Sequence, residues 1–154
     1  VERFVSPLYK DINTQLSGLL AGEADWVCNL ANTAALLNMY LPDINWVGFY
    51  LRQGDELVLG PFQGKPACTR IAIGKGVCGT AAAENKPQLV ADVNAFPGHI
   101  ACDAASLSEV VIPMVRAGEI VGVLDVDSPI KNRFSKVDVA GLELIVATLL
   151  GPHI

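Results

Sequence analysis

Two apolar runs separated by a four-residue turn restrict the fold of this chain more than any other feature. Glu109-Val110-Val111-Ile112-Pro113-Met114-Val115 and Ile120-Val121-Gly122-Val123-Leu124-Asp125-Val126-Asp127 flank Arg116-Ala117-Gly118-Glu119. Runs rich in β-branched residues around a Gly-containing turn predict an antiparallel hairpin. Pro113 cannot donate to a ladder, so it marks an edge, a bulge or an outward-facing position. Asp125 and Asp127 stand two apart, which sends both carboxylates to one face of the strand. A hairpin turning at Ala117-Gly118 pairs position 109 near 126, bringing Glu109 beside the two aspartates.

The rest of the chain supplies more strands and a helical cover. Ser6-Pro7 predicts a helix start, with Ser6 able to cap and Pro7 at the first helical position. Leu8, Ile12, Leu16, Leu19 and Leu20 then recur at helical spacing until Gly22. A second helix is expected from about Glu23 to Met39, with Trp26, Leu30, Ala34 and Leu37 on its apolar stripe, Cys28 among core residues, and Pro42 as the stop. Trp46 to Leu51 and Glu56 to Leu59 form a second hairpin across Gln53-Gly54-Asp55. The stretch from Pro61 to Lys75 reads mostly as loop with a short extended piece at Arg70 to Ile73, then Gly76 to Glu84 as a short helix and Gln88 to Val93 as a strand. Asn94 to Ser108 is a long polar loop, a length that in compact domains signals function or disorder. Phe134-Ser135-Lys136-Val137-Asp138 is a staple and capping box opening a last helix that ends at Gly151-Pro152. Strand pairs with helices at both ends predict an α+β domain, an antiparallel sheet with helices packed on one face.

With 154 residues, the sequence fits one domain, 1–154, able to bury roughly two thirds of its unfolded surface without disulfide staples. Half of it is apolar (51%), yet no uninterrupted apolar segment approaches a bilayer span, so no membrane association is expected. A net charge of -5 argues against nucleic acid, which needs a concentrated basic face. A mildly acidic cytoplasmic protein is the expected reading, and the amino-terminal residues show no basic segment followed by an apolar one, so no secretory signal is expected.

Three of the 4 cysteines, Cys68, Cys78 and Cys102, lie between Gly60 and Cys102 beside turn-forming or polar residues. In a reducing compartment, cysteines so placed point to catalysis, redox sensing or metal. A thiolate attacking an electrophile needs a second thiol within reach to clear its oxidised form. The acidic cluster is the natural companion, because a carboxyl group in partly apolar surroundings keeps its proton near neutral pH and can serve as a general acid. A zinc site of Cys68, Cys78, His99 and Cys102 is the structural competitor, though no Cys-x-x-Cys knuckle supports it. The Gly-rich opening of the helix at Gly76 could cradle phosphate, but it matches neither a Walker loop nor a dinucleotide fingerprint.

Several segments taken together resemble one family: Asn45-Trp46-Val47-Gly48-Phe49-Tyr50, Gly74-Lys75-Gly76-Val77-Cys78-Gly79, Gly98-His99-Ile100-Ala101-Cys102 and Gly122-Val123-Leu124-Asp125-Val126-Asp127-Ser128. They are similar to the free methionine-R-sulfoxide reductases, single-domain proteins of the GAF fold, and the likeness covers nearly the whole chain. The resemblance implies a ligand pocket on the sheet face away from the helices. It implies that Cys102 attacks the sulfoxide sulfur and becomes a sulfenic acid, that Cys68 resolves it as a disulfide with Cys78 as alternative or relay, and that Asp127 or Glu109 donates the proton. Trp46, Tyr50, Glu109, Asp125 and Asp127 are the implied substrate-binding residues. No bound cofactor is implied; thioredoxin, with NADPH and thioredoxin reductase, is the external reductant, and a homodimer is left open. A GAF module that senses a small molecule without catalysis is the alternative reading.

Overall fold

Alternation along the central strands divides the protein into two unequal cores. The computed structural model describes residues 4–100 and 105–153. In chain order the elements are α1 (Pro7–Leu20), α2 (Trp26–Tyr40), β1 (Trp46–Gln53), β2 (Glu56–Gly64), β3 (Arg70–Ala72), α3 (Gly76–Glu84), β4 (Gln88–Val90), β5 (Ser108–Arg116), β6 (Glu119–Ser128) and α4 (Lys136–Leu150). The strands form one antiparallel sheet in the order β3-β2-β1-β6-β5-β4. The expected α+β architecture is therefore present.

Val47 and Phe49 of β1, Leu124 and Val126 of β6, and Val110, Ile112 and Met114 of β5 share the face that meets α1, α2 and α4. The larger core lies there. Leu30, Ala34 and Leu37 come from α2, as expected, and Leu142, Ile145 and Leu149 from α4. On α1 the buried stripe is Tyr9, Ile12, Leu16 and Leu20, whereas Leu8 and Leu19 are exposed. Tyr9 settles the rotation of that helix: its ring occupies the space where a Cβ on Gly141 would stand, only 2.1 Å from Tyr9 Cγ. Its hydroxyl also donates to Asp138 Oδ1 at 2.7 Å. Asp138 is also the far half of the capping box, its side chain accepting from the Ser135 backbone N–H while Ser135 caps α4.

Local signals hold at most helix ends and fail at a few. Ser6 occupies the N-cap of α1 but makes no side-chain capping bond. Asp25 caps α2, accepting from the Cys28 backbone N–H at 2.8 Å, so the helix starts later than its periodicity predicts. Cys28, expected among core residues, is exposed, because the buried arc passes through Leu30, Ala34 and Leu37 instead. β2 runs on to Gly64 through residues expected to be loop, since its partner β1 offers a ladder as far as Trp46. β4 is only three residues long and is followed by a 3-10 turn over Val93–Ala95. It pairs with β5 no further than Val111, so Pro113 lies where that side of β5 is already the sheet edge.

The opposite face carries the smaller core: Trp46 and Tyr50 of β1, Leu57 of β2, Val111 of β5 and Val123 of β6, covered by Val77, Cys78, Ala81 and Ala82 of α3. Three helices thus cover one face, and the short α3 lies on the pocket side. Among the described residues, no helix is long and apolar enough to cross a membrane.

Candidate active site

Register brings the predicted acids together. Asp125 pairs with Gly48 and Asp127 with Trp46 across the β1–β6 ladder, while Glu109 pairs with Asp127 across β5–β6. Directly paired residues in an antiparallel ladder point to the same face. Glu109, Asp125, Asp127, Trp46 and Tyr50 therefore all project to the α3 side. They line one cavity of about 60 Å³ together with Cys78, Ile71, Val77 and the loop residues Pro66, Ala67, His99, Ile100 and Ser106.

The aromatic wall is built from β1 and β2. Trp46 stacks on Phe62 with ring centroids 5.2 Å apart, and on Tyr50 at 6.0 Å. Gly48 makes the first contact feasible, because a Cβ there would lie 2.3 Å from Phe62 Cβ. Trp46 Nε1 donates to the Lys65 carbonyl at 3.1 Å, and the Tyr50 hydroxyl donates to the Cys68 carbonyl at 2.9 Å. Both bonds hold the segment carrying Cys68 against the pocket rim. On the other rim, Ser106 Oγ donates to Asn45 Oδ1 at 3.4 Å.

The carboxylates are crowded. Glu109 and Asp125 are buried, and Asp125 Oδ1 has no hydrogen-bond partner among the described residues. Burial, then the charges of Asp127 and Glu109, push the Asp125 carboxyl well above its ordinary range, and hydrogen bonding to those two neighbours adds to the effect. Three ionised carboxylates have no donor among them. A proton on Asp125 supplies one and lets its neighbours accept, which is why the neutral form is favoured.

Cys78 sits in the first turn of α3, fully buried, with its thiol donating towards Glu109 Oε2 at 3.9 Å. Burial first, and then Asp125, Glu109 and Asp127, raise its pKa well above that of a free thiol. In this state it is a poor nucleophile. Tyr50 is pushed up in the same way, by burial and then by Asp125, Cys78, Asp127 and Glu109.

Cys68 is disulfide-bonded, whereas Cys28 and Cys78 are free thiols. Cys102, the expected nucleophile, lies outside the described residues. The zinc quartet is not assembled among the described residues: the ligand atoms of Cys78 converge with Glu109 and Asp125, not with Cys68 and His99. Sequence reasoning missed this link between Cys78 and the acids, and also the stacking of Phe62 on Trp46. The second was hidden because Phe62 falls among residues expected to be loop, whereas β2 carries it opposite Gly48 past an irregularity in the ladder.

This geometry has close counterparts. Residues 30–149 match the GAF domain family. The free methionine-R-sulfoxide reductase of Escherichia coli is 56% identical over 141 residues, 92% of this chain and 86% of that protein. The solved reduced form of fRMsr of Staphylococcus aureus superposes with a TM-score of 0.90 at 49% identity, covering 97% of this chain and 100% of that one. The free methionine-R-sulfoxide reductase of Neisseria meningitidis, solved in complex with its substrate, gives a TM-score of 0.90 at 44% identity over 97% of this chain and 93% of that one. By fold and by sequence, this chain belongs to the GAF-domain family of free methionine-R-sulfoxide reductases.

Proposed function

We propose that residues 1–154 act as one catalytic domain that reduces free L-methionine (R)-S-oxide to L-methionine at the pocket formed by Trp46, Tyr50, Glu109, Asp125 and Asp127. The observation that carries this reading is the convergence of three carboxylates on one small aromatic-walled cavity. A free amino acid brings a cationic ammonium that a peptide-bound methionine lacks, and buried acids reward that charge. Trp46 shelters the S-methyl group. Asp127 or Glu109 faces the sulfoxide oxygen, and Asp125 holds the exchangeable proton at rest.

Cys102 thiolate attacks the sulfoxide sulfur as the acid cluster protonates its oxygen. The hydroxyl then passes to the Cys102 sulfur while the transient S–S bond and the substrate S–O bond break, the electron pair returning to the methionine sulfur and Cys102 becoming a sulfenic acid. Methionine departs. Cys68 then attacks the sulfenic sulfur and expels water, leaving a Cys68–Cys102 disulfide. The disulfide-bonded state of Cys68 and the free thiol of Cys78 favour Cys68 as the resolving cysteine. Cys78, with its raised pKa, is a relay at most. Thioredoxin, kept reduced by NADPH and thioredoxin reductase in the cytoplasm, returns both thiols by exchange.

The test is NADPH consumption in a coupled assay with thioredoxin and its reductase. Free methionine-R-sulfoxide should be turned over, the N-acetylated substrate should not, and Cys102→Ser should abolish turnover. Turnover that persists in Cys102→Ser would refute the assignment.

A further inference from the structure

We propose that Cys78, Glu109 and Asp125 form a binding site for one thiophilic divalent cation of the zinc and cadmium class. The sulfur of Cys78 and one carboxylate oxygen from each acid lie within 4.8 Å of one another, and all three residues are buried. Ligand atoms around one tetrahedral zinc sit about 3.5 Å apart. The Cys78 Sγ to Glu109 Oε2 separation of 3.9 Å is within a small side-chain adjustment of that value.

The second observation is the Asp125 oxygen itself. Oδ1 is buried in the cavity wall with no hydrogen-bond partner among the described residues, in a residue only 5% exposed. An unpartnered carboxyl oxygen beside a second carboxyl group and a thiol is a ligand set that a cation completes by displacing their protons. The sulfur decides the class, because magnesium and calcium take all-oxygen shells whereas zinc and cadmium accept thiolate with carboxylate. The cavity of about 60 Å³ leaves room for an ion and a water as fourth ligand.

Occupancy has a consequence that rests on the proposed function. Glu109 and Asp125 are the groups assigned to the substrate, so a bound cation shuts the substrate out. The site then couples the enzyme to free zinc through Cys78, whether or not that thiol takes part in the redox cycle.

The experiment uses the full chain carrying Cys28→Ser, Cys68→Ser and Cys102→Ser, so that Cys78 is the remaining thiol. Cadmium should bind with one-to-one stoichiometry and give an ultraviolet thiolate-to-metal band. Adding Asp125→Asn or Glu109→Gln should weaken binding by at least about tenfold. No band, or a band whose affinity ignores both substitutions, overturns the site. Should the triple variant not fold, cadmium NMR of the Cys28→Ser protein reads the same ligand set, and a resonance lacking the mixed sulfur and oxygen environment overturns it. Zinc should in addition inhibit competitively with free methionine sulfoxide; binding without such competition would leave the metal site standing and break the substrate assignment.

Discussion

Glu109 and Asp127 are direct partners across the β5–β6 ladder, and a β-bulge makes them so. The turn at Ala117-Gly118, both with positive φ, pairs Arg116 with Glu119 and Val115 with Ile120. Counting on from there would set Glu109 opposite Val126, on the face that packs against the helices. The pairing instead skips Val121, so that Met114 meets Gly122 and every later pair moves by one. One residue of shift exchanges the two faces of a strand. The bulge thus puts Glu109 in the pocket rather than in the larger core.

Three acids on one face should hold function and stability in opposition. Like charges facing each other across a ladder are destabilising. Glu109→Gln is expected to leave stability unchanged or raise it by about 0.5–1 kcal/mol, while kcat/KM for free methionine sulfoxide falls by about 10²–10⁴-fold. Urea denaturation and the coupled assay on one preparation measure both. A parallel loss of stability would mean that Glu109 is a structural residue.

Asp125 gives that opposition a pH signature. Its carboxyl is raised in the folded protein, so between the unfolded value of about 4 and the higher folded value the native state binds more protons than the unfolded chain. Stability from this group is therefore intact at acid pH and declines as pH rises through that window. Asp125→Asn should flatten the decline, so that the variant is more stable than wild type at pH 7 and equal to it near pH 3. Cys78, also raised, should add a second decline above about pH 8.5 that Cys78→Ser removes. Melting temperatures across pH for the three proteins read both windows.

What the sequence made legible follows from the range of the interactions. The capping box at Ser135 and Asp138, α3 over Gly76–Glu84 and the two hairpins depend on neighbours a few residues apart, and all could be read directly. The face shared by Asp125 and Asp127 needed only strand alternation. The place of Cys28 could not be read so, because the α2 stripe leaves the choice of flanking residues to tertiary packing. Nor could Cys78: a short helix rich in small residues carries no amphipathic pattern, and the contact with Glu109 spans 31 positions. The bulge at Val121 has no sequence mark beyond the glycine beside it.

Gly141 should be among the least replaceable residues far from the pocket. A methyl group there would stand 2.1 to 2.6 Å from three Tyr9 ring atoms, and a ring in a full core has no room to retreat. Moving the ring would also break the Tyr9 hydroxyl bond to Asp138. Gly141→Ala is expected to destabilise the protein by about 1–3 kcal/mol despite its better helix propensity. The KM measured well below the melting temperature should not change. Chemical denaturation showing a stabilised variant would mean that the α1–α4 contact is looser than its geometry.

Tyr50 links the pocket to Cys68, the proposed resolving cysteine, through a hydrogen bond. Its hydroxyl donates to the Cys68 carbonyl, while its ring lies on Trp46 beside the acids. Tyr50→Phe keeps the ring and removes one half-buried hydrogen bond, so the expected loss of stability is about 0.5–1.5 kcal/mol. The larger effect should fall on the second chemical step, because Cys68 must be held within reach of the sulfenic sulfur. In a single turnover without reductant, methionine release should proceed at close to the wild-type rate while disulfide formation slows several-fold. Mass spectrometry of the quenched protein should then show the sulfenic acid, trapped by dimedone, persisting in Tyr50→Phe after it has vanished in wild type. Equal lifetimes in the two proteins would show that the segment carrying Cys68 is positioned without this bond, by contacts such as the Trp46 Nε1 bond to the Lys65 carbonyl and the Leu59 N–H bond to the Thr69 carbonyl.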